Sequence, residues 1–373
     1  MKYLFAAYDI VVENQDLYML AYGTNLLVKY NCVENNATTL EVLDGNPNCF
    51  DKQLYQSVLK IKNKILLAPR IADNIAIYDC ITREVCYIDI PKIDFNDCNF
   101  SPDIAKFWKG FTFNEYFYLL GFGYPGILRI NSKSYEIEYN EKMCSDLKEH
   151  ISTKYNGFFS NGSIVEDNIA LIPMSCCPEI LELNLISLDY KIIKINVPFK
   201  GIYSISKDYD TNFIWLTNIE NGKDIYAWDR KNNNYIKICL NDVSNVMFYP
   251  PIILKDKIIL VPCEYGKKIH MINKETLTIE KVVNCEELSQ RKDINNTGYI
   301  FMEPRLLNNS LLLVSGRDFL WNYLDFNLNI IDRKYVYNEC PKSFIEYIDK
   351  EIKNKGFIIN ERLFDINTLL HLM

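Results

Sequence analysis

The sequence predicts an all-β fold made of seven repeats, each with four short strands. Seven times along the chain, a bulky apolar or aromatic residue is followed by Asp or Asn, and these pairs recur about every 50 residues. The pairs are Tyr30-Asn31, Tyr78-Asp79, Ile130-Asn131, Leu183-Asn184, Trp228-Asp229, Ile272-Asn273 and Leu324-Asp325. Because the same order of polar turns and apolar runs separates them, the pattern indicates a seven-bladed β-propeller.

The Asp or Asn of each pair is expected to end a third strand and to begin a short polar turn, as at 79–82 and 273–276. Its side chain can accept a hydrogen bond from the backbone two residues later, which closes the turn. The bulky residue before it is then expected to point into the space between blades.

The second strand of each repeat is expected to be its most apolar part. These runs are Leu17–Leu20, Ile65–Ala68, Tyr116–Leu120, Ile169–Ile172, Ile214–Leu216, Ile258–Val261 and Leu311–Val314. Apolar runs without alternation are typical of strands that are buried on both faces. A fourth strand is recognisable in five units, at 84–90, 135–139, 190–197, 235–240 and 277–283.

A six-bladed count is the main alternative, because the first repeat, residues 3–44, is the least regular and one repeat could be split across the termini. Seven blades are preferred because all seven repeats carry the pair. The predicted propeller covers residues 1–339. Residues 340–373 are predicted to form a C-terminal helical extension, with a capping box from Ser343 to Glu346 opening a helix over 343–354 and a second short helix from Asp365. This tail either packs on the propeller or docks a partner.

The repeat form resembles the bacterial Kelch-like and WD-like propellers over residues 3–339. Trp228-Asp229 matches the WD dipeptide at the end of a third strand, and Gly121 with Gly123 is a fragment of the Kelch glycine doublet. The resemblance implies the propeller fold and no particular activity, because one fold hosts many functions.

Composition narrows the range of functions. The chain has 373 residues, 49% of them hydrophobic, and a formal charge of −7, which argues against general nucleic-acid binding. No apolar run approaches the ~18 residues that a transmembrane helix needs, and Asp9 interrupts the apolar start, so no secretory signal is expected. Twelve cysteines without a Cys-x-x-Cys pair are typical of reduced thiols in a cytoplasmic protein, so no disulfides are expected.

Signals for catalysis are weak. Three histidines, His150, His270 and His371, are too scattered for a metal site, and no phosphate-binding glycine loop is present, so neither a metal nor a cofactor is expected. The repeated boxes of a sialidase are missing, with one degenerate copy at 206–213. Cys176 and Cys177 are adjacent in a loop and are interpreted as inert thiols.

The loops after the second strands and between units are expected to line one face around the central channel, where propellers commonly bind ligands. Six loop residues offer aromatic rings beside charged groups: Arg70, Tyr124, Glu264, Tyr265, Arg305 and Arg317. Rings provide stacking area and guanidinium groups provide paired hydrogen bonds. These residues predict a non-catalytic propeller that binds a protein or glycan, with glycan favoured. The alternative is a hydrolase or lyase that acts on a glycan or peptide in the central funnel.

Overall fold

The computed structural model describes residues 2–4, 7–21, 24–43, 53–92, 105–149, 157–220, 222–240, 246–264, 266–289, 301–316, 318–339, 341, 342 and 346. These residues contain seven four-stranded antiparallel sheets, and in each sheet the strands lie side by side in chain order. The fold is therefore the predicted all-β, seven-bladed β-propeller, and the six-bladed alternative is wrong.

The chain forms two compact units. The first unit comprises Met1–Ile90 with Arg305–Met373 and contains three of the sheets. The first sheet has strands Ala7–Glu13, Asp16–Ala21, Leu26–Asn31 and Asn36–Val42. The second has Tyr55–Ile61, Lys64–Pro69, Asn74–Asp79 and Val85–Asp89. The seventh has Arg305–Leu307, Ser310–Val314, Leu320–Leu324 and Ile330–Tyr335.

The second unit comprises Pro91–Pro304 and contains the other four sheets. The third sheet has strands Phe107–Phe113, Tyr116–Gly121, Ile127–Asn131 and Ile137–Glu138. The fourth has Ile164–Glu166, Ile169–Pro173, Glu179–Asn184 and Tyr190–Lys194. The fifth has Ile202–Lys207, Ile214–Asn218, Asp224–Asp229 and Asn234–Cys239. The sixth has Ile252–Ile253, Lys257–Leu260, Lys268–Asn273 and Ile279–Asn284.

A few elements lie outside the seven sheets. In the first unit, the N-terminal strand Lys2–Leu4 pairs antiparallel with Tyr337–Glu339 and forms a terminal ribbon. In the second unit, Met247–Phe248 pairs with Pro262–Glu264. The second unit also contains the 3-10 turn Cys285–Leu288 and the helix Glu141–Glu149. Asn140 caps this helix, because its Oδ1 accepts the N–H of Met143 at 3.0 Å.

The predicted turn chemistry is present in all seven sheets. The side-chain oxygen of each Asp or Asn accepts the backbone N–H of the residue two positions later, at 2.8–2.9 Å. The donors are Val33, Ile81, Lys133, Ile186, Lys231, Glu275 and Asn327. The bulky residue before each Asp or Asn is at most 2% exposed, as predicted. One dipeptide therefore closes the turn with its second residue and fills the core with its first.

Each of these turns also contains a non-glycine residue in the left-handed region, with φ between 47° and 63°. These residues are Asn35, Arg83, Tyr135, Leu188, Asn233, Leu277 and Leu328. Two of the asparagines are held by the aromatic residue of the pair: the Tyr30 hydroxyl donates to Asn35, and Trp228 Nε1 donates to Asn233 Oδ1 at 3.0 Å. Asparagine tolerates this backbone better than most residues, which helps to explain how the chain builds so many turns with only 14 glycines.

The C-terminal extension was predicted from residues that the structure does not describe, apart from Pro341, Lys342 and Glu346. The helix over 343–354 and the helix from 365 therefore lie outside the described residues, and the division at residue 340 stays a prediction. In the part of the chain that is described, no helix is long and apolar enough to cross a membrane.

Candidate functional site

A groove of about 830 Å³ lies in the first unit, between the outer strand of the first sheet and the residues that follow the last strand of the seventh sheet. We call it the edge groove. One wall is formed by residues 35–42, and the other by 335–339 with Pro341. Tyr30 lines the groove from within the first sheet.

The first wall is an edge strand. Asn36–Val42 pairs with Leu26–Asn31 on one side, and no strand among the described residues pairs with its other side. The pairing contains an irregularity between Leu27 and Val28, which leaves Leu40 without an opposite residue. Bulges at an edge discourage the addition of a further strand. The side chains of this wall are therefore better placed than its backbone to hold a ligand.

The second wall approaches because the two ends of the chain pair with each other. Tyr337–Glu339 is held in place by the terminal ribbon. Asn338 is buried, and its Nδ2 donates to Thr39 Oγ1 at 2.6 Å, which joins one wall of the groove to the other. Tyr337 beside it is 45% exposed. An exposed tyrosine ring on a fixed backbone is a surface for stacking.

The edge groove is polar, aromatic and weakly acidic. Its lining contains three tyrosines, three asparagines, two threonines and two glutamates, and no Lys, Arg or His belongs to the described lining. Lys334 lies outside the lining, with its Nζ 5.5 Å from the centre of the Tyr30 ring. Amide and hydroxyl groups can both donate and accept hydrogen bonds with hydroxyl-rich ligands, and carboxylates accept them. Two carboxylates without a lining cation disfavour an anionic ligand.

The six residues proposed from the sequence belong to both units: Arg70, Arg305 and Arg317 to the first, and Tyr124, Glu264 and Tyr265 to the second. Arg70 follows the second strand of the second sheet, is half-buried, and donates its backbone N–H to the Leu54 carbonyl at 2.7 Å. Tyr124 is buried, and its ring centre lies 5.0 Å from that of Phe107. Burial raises the pKa of Tyr124 above its ordinary value. Tyr124 therefore offers no exposed ring face.

For three of the other four proposed residues, the structure describes either the backbone alone or nothing. Glu264 ends the short strand Pro262–Glu264, opposite Met247, and its side chain lies outside the described residues. Tyr265 and Arg317 also lie outside them. The ligand-binding role assigned to the six residues stays a prediction.

Arg305 has an internal role that the sequence did not reveal. Its guanidinium forms an ion pair with Asp9, and its Nε donates to the Ile10 carbonyl at 2.7 Å. Asp9 is 4% exposed and also accepts Ser57 Oγ at 2.8 Å and the Val58 N–H at 3.0 Å. These bonds tie together the first strands of the seventh, first and second sheets. A ligand at Arg305 would have to compete with them.

The other chemical candidates from the sequence are accounted for as follows. His270 lies in a strand, as predicted, is buried, and packs edge-on against Phe248 with ring centres 6.0 Å apart. His150 and His371 lie outside the described residues. No group of three or more His, Cys, Asp or Glu in the described part of the chain is arranged to hold a metal ion. All nine cysteines that the structure describes carry thiols rather than disulfides.

The loop at Cys176 and Cys177 holds the two adjacent thiols that the sequence analysis interprets as inert. Cys176 is 4% exposed and Cys177 is half-buried, because the loop folds against the core of the fourth sheet. A hydrogen bond with Cys176, together with burial, raises the pKa of the Cys177 thiol. Both observations lower the nucleophilicity of Cys177, since the thiolate is the reactive form.

Comparison with known proteins supports the fold. No protein-family model and no curated protein matches the chain. Among solved structures, it is similar to dihydro-heme d1 dehydrogenase NirN in complex with DHE, at 13% identity and TM-score 0.57 over 90% of this chain and 66% of that one. It is also similar to a catalytically inactive virginiamycin B lyase from Staphylococcus aureus with quinupristin, at 13% identity and TM-score 0.56 over 83% and 92%.

A third similar structure is BamB from Moraxella catarrhalis, at 8% identity and TM-score 0.54 over 90% of both chains. At identities this low, the likeness shows the fold alone. The chain therefore resembles propeller repeat proteins at the level of fold, as its repeats predicted. Two of these similar structures are enzymes with a named ligand, and those ligands are properties of those enzymes.

Proposed function

We propose that this protein is a non-catalytic binding propeller that holds a neutral oligosaccharide in the edge groove. The observation that carries the proposal is the lining: tyrosine rings beside amides, hydroxyls and carboxylates, without a cation among the lining residues described. Sugars present flat apolar faces edged by hydroxyl groups, so they need stacking surfaces combined with directional hydrogen bonds.

Tyr337 is the central residue of this proposal. It is the most exposed of the three tyrosines that line the groove. Its backbone is held by the pairing of Lys2–Leu4 with Tyr337–Glu339. When a ligand stacks on this ring, the backbone that carries it has no further freedom to lose, and only the side chain must be ordered. Glu41 and Glu339, with the amides of Asn35 and Asn36, supply acceptors and donors within the same groove.

The charge of the groove selects among glycans. Glu41 and Glu339 would repel uronic acids or sialic acid, and the described lining provides no guanidinium or ammonium partner. Neutral glycans are therefore favoured over acidic ones. An extended peptide is the competing ligand, because the outer strand has one unpaired edge, but the irregularity at Leu40 interrupts that edge.

A binding screen tests the proposal. The full chain is titrated with neutral oligosaccharides, acidic oligosaccharides and extended peptides, with isothermal calorimetry as the measurement. The proposal predicts binding of a neutral oligosaccharide that Tyr337→Ala weakens at least about tenfold, a loss of about 1.4 kcal/mol, and that Tyr337→Phe largely retains.

Tyr87→Ala is the matched control. Tyr87 is 40% exposed, also lies on an outer strand of the first unit, and is not part of the edge groove. It should leave binding unchanged. Equal affinities of Tyr337→Ala and the parent protein would exclude the edge groove as the site. Cleavage of the bound oligosaccharide, measured as new reducing ends, would favour the hydrolase or lyase alternative.

A further inference from the structure

We propose that the loop between the second and third strands of the fourth sheet is a binding site for a soft monovalent metal ion, Cu(I), with Met174, Cys176 and Cys177 as ligands. The loop is short and runs from Pro173 to Pro178. It brings two thiols and one thioether together, which is the donor set that soft cations select.

Two sulfur atoms lie at the distance from Cys177 Sγ that ligands of a three-coordinate ion have from one another. Cys177 Sγ lies 3.8 Å from Cys176 Sγ and 3.9 Å from Met174 Sδ. Three sulfur atoms that each lie about 2.3 Å from one central ion are about 4 Å from one another. The distances of Cys176 Sγ and Met174 Sδ from Cys177 Sγ therefore match two sides of the triangle around a three-coordinate ion.

The surroundings keep the sulfur atoms in place. Met174 is fully buried and Cys176 nearly so, within the core cluster that the third and fourth sheets share. The Cys176 thiol faces the Phe158 carbonyl at 3.9 Å. Cys177 is half-buried and provides the route from solvent. A largely buried site limits the access of water to a bound ion.

Binding must release the thiol protons. Cu(I) replaces the protons of Cys176 and Cys177, so two protons leave and two copper–thiolate bonds form while Met174 donates a lone pair. Glu179 Oε2 lies 3.3 Å from Cys177 Sγ and accepts its hydrogen bond, so it can receive the first proton. Because protons are released, affinity should increase with pH.

The site does not depend on groups of harder ligands. Carboxylates prefer harder ions. The described residues contain no group of three or more His, Cys, Asp or Glu side chains that could hold a metal ion, and the third donor proposed at this site is the Met174 thioether. A thioether raises selectivity for copper in its monovalent state, since Met binds soft cations and hardly competes for protons. The proposal is independent of the edge groove, which lies in the other unit.

The experiment is an anaerobic titration of the reduced full chain with Cu(I) in the presence of a competing Cu(I) chelator. One tight equivalent is expected, with a thiolate-to-copper absorption band in the near ultraviolet. Cys177→Ser should abolish this equivalent. Met174→Leu, which preserves the side-chain volume, should weaken Cu(I) binding at least about tenfold. Loss of a group that only supports a metal ligand already costs about this much affinity.

The double variant Cys86→Ser, Cys239→Ser is the control for non-specific thiols. Both cysteines are exposed and lie on outer strands of other sheets, so their removal should leave the tight equivalent unchanged. Far-ultraviolet circular dichroism confirms folding of each variant, and Met174→Leu alone decides the question if Cys177→Ser does not fold. Wild-type copper binding by Met174→Leu and Cys177→Ser, or loss of the tight equivalent in the control, would overturn the proposal.

Discussion

Arg305 and Asp9 form an ion pair that joins the first strand of the seventh sheet to the first strand of the first sheet. The two residues are 296 positions apart in the sequence. Asp9 is 4% exposed and also bonds to Ser57 and Val58 in the second sheet. One buried carboxylate therefore links three sheets of the first unit, and the Arg305 guanidinium offsets its charge.

Arg305→Ala should destabilise the protein by about 3 kcal/mol, because it leaves a buried carboxylate without its ion-pair partner. Urea denaturation followed by circular dichroism measures the change in the free energy of unfolding. The double variant Asp9→Asn, Arg305→Met should be less destabilised than Arg305→Ala, since it removes the buried charge as well. If Arg305→Ala denatures at the same urea concentration as the parent, the pair contributes nothing to stability.

The turn at Asp79 gives a prediction about pH. Hydrogen bonds to Asp79 from Lys64, from the Ile81 N–H and from Asn63 hold the pKa of Asp79 well below its ordinary value. A carboxyl whose pKa is lower in the folded state stabilises the protein above the unfolded pKa, about 4, and this contribution is lost as pH falls. Asp79→Ala should cost about 1–2 kcal/mol near neutral pH, through the lost turn hydrogen bonds and the lost ion pair.

Asp79→Asn is the matched control, because Asn occupies the same turn position at 31, 131, 184 and 273. It keeps the turn acceptor and removes the charge that pairs with Lys64. The stability difference between the parent and Asp79→Asn should therefore shrink as pH is lowered below about 4. A difference that stays constant from neutral pH to strongly acidic pH would show that the charge of Asp79 is unimportant.

Arg83 provides a test of backbone strain. It is exposed and has φ 61°, in the left-handed region that glycine adopts without a steric penalty. Arg83→Gly should raise the free energy of unfolding by about 0.5–1 kcal/mol, the net of relieved strain and lost chain rigidity. Arg83→Ala retains Cβ and should not stabilise the protein. Equal stabilities of the two variants in thermal denaturation would rule out strain at this turn.

The repeats were predictable because their chemistry is local. An Asp or Asn accepts the N–H of a residue two positions away, so the turn is visible within four residues of sequence. The bulky residue before it is apolar or aromatic in every repeat, which predicts its burial. The helix Glu141–Glu149 carried a local signal too, Asn140 as its cap with Met143, Cys144 and Leu147 at helical spacing, but the sequence analysis predicted no helix there.

The candidate site was less predictable because its contacts are distant in sequence. Thr39 and Asn338, which join the walls of the edge groove, are 299 residues apart. The sequence alone does not show that the partner of Arg305 is Asp9, which lies 296 positions away. Arg305 was therefore interpreted as a ligand-binding group. Tyr124 was chosen as a loop aromatic, and the sequence alone did not reveal that it packs on Phe107.

The thiols give a prediction about redox state. Cys86 and Cys239 are exposed and should react rapidly with a thiol reagent, whereas Cys144, Cys263 and Cys285 are buried and should react only as the protein unfolds. Because the chain is expected to contain no disulfides, its melting temperature should be the same with and without reductant. Mass spectrometry after timed labelling identifies which thiols react first. Early labelling of the buried cysteines, or a melting temperature that falls by many degrees in reductant, would contradict this prediction.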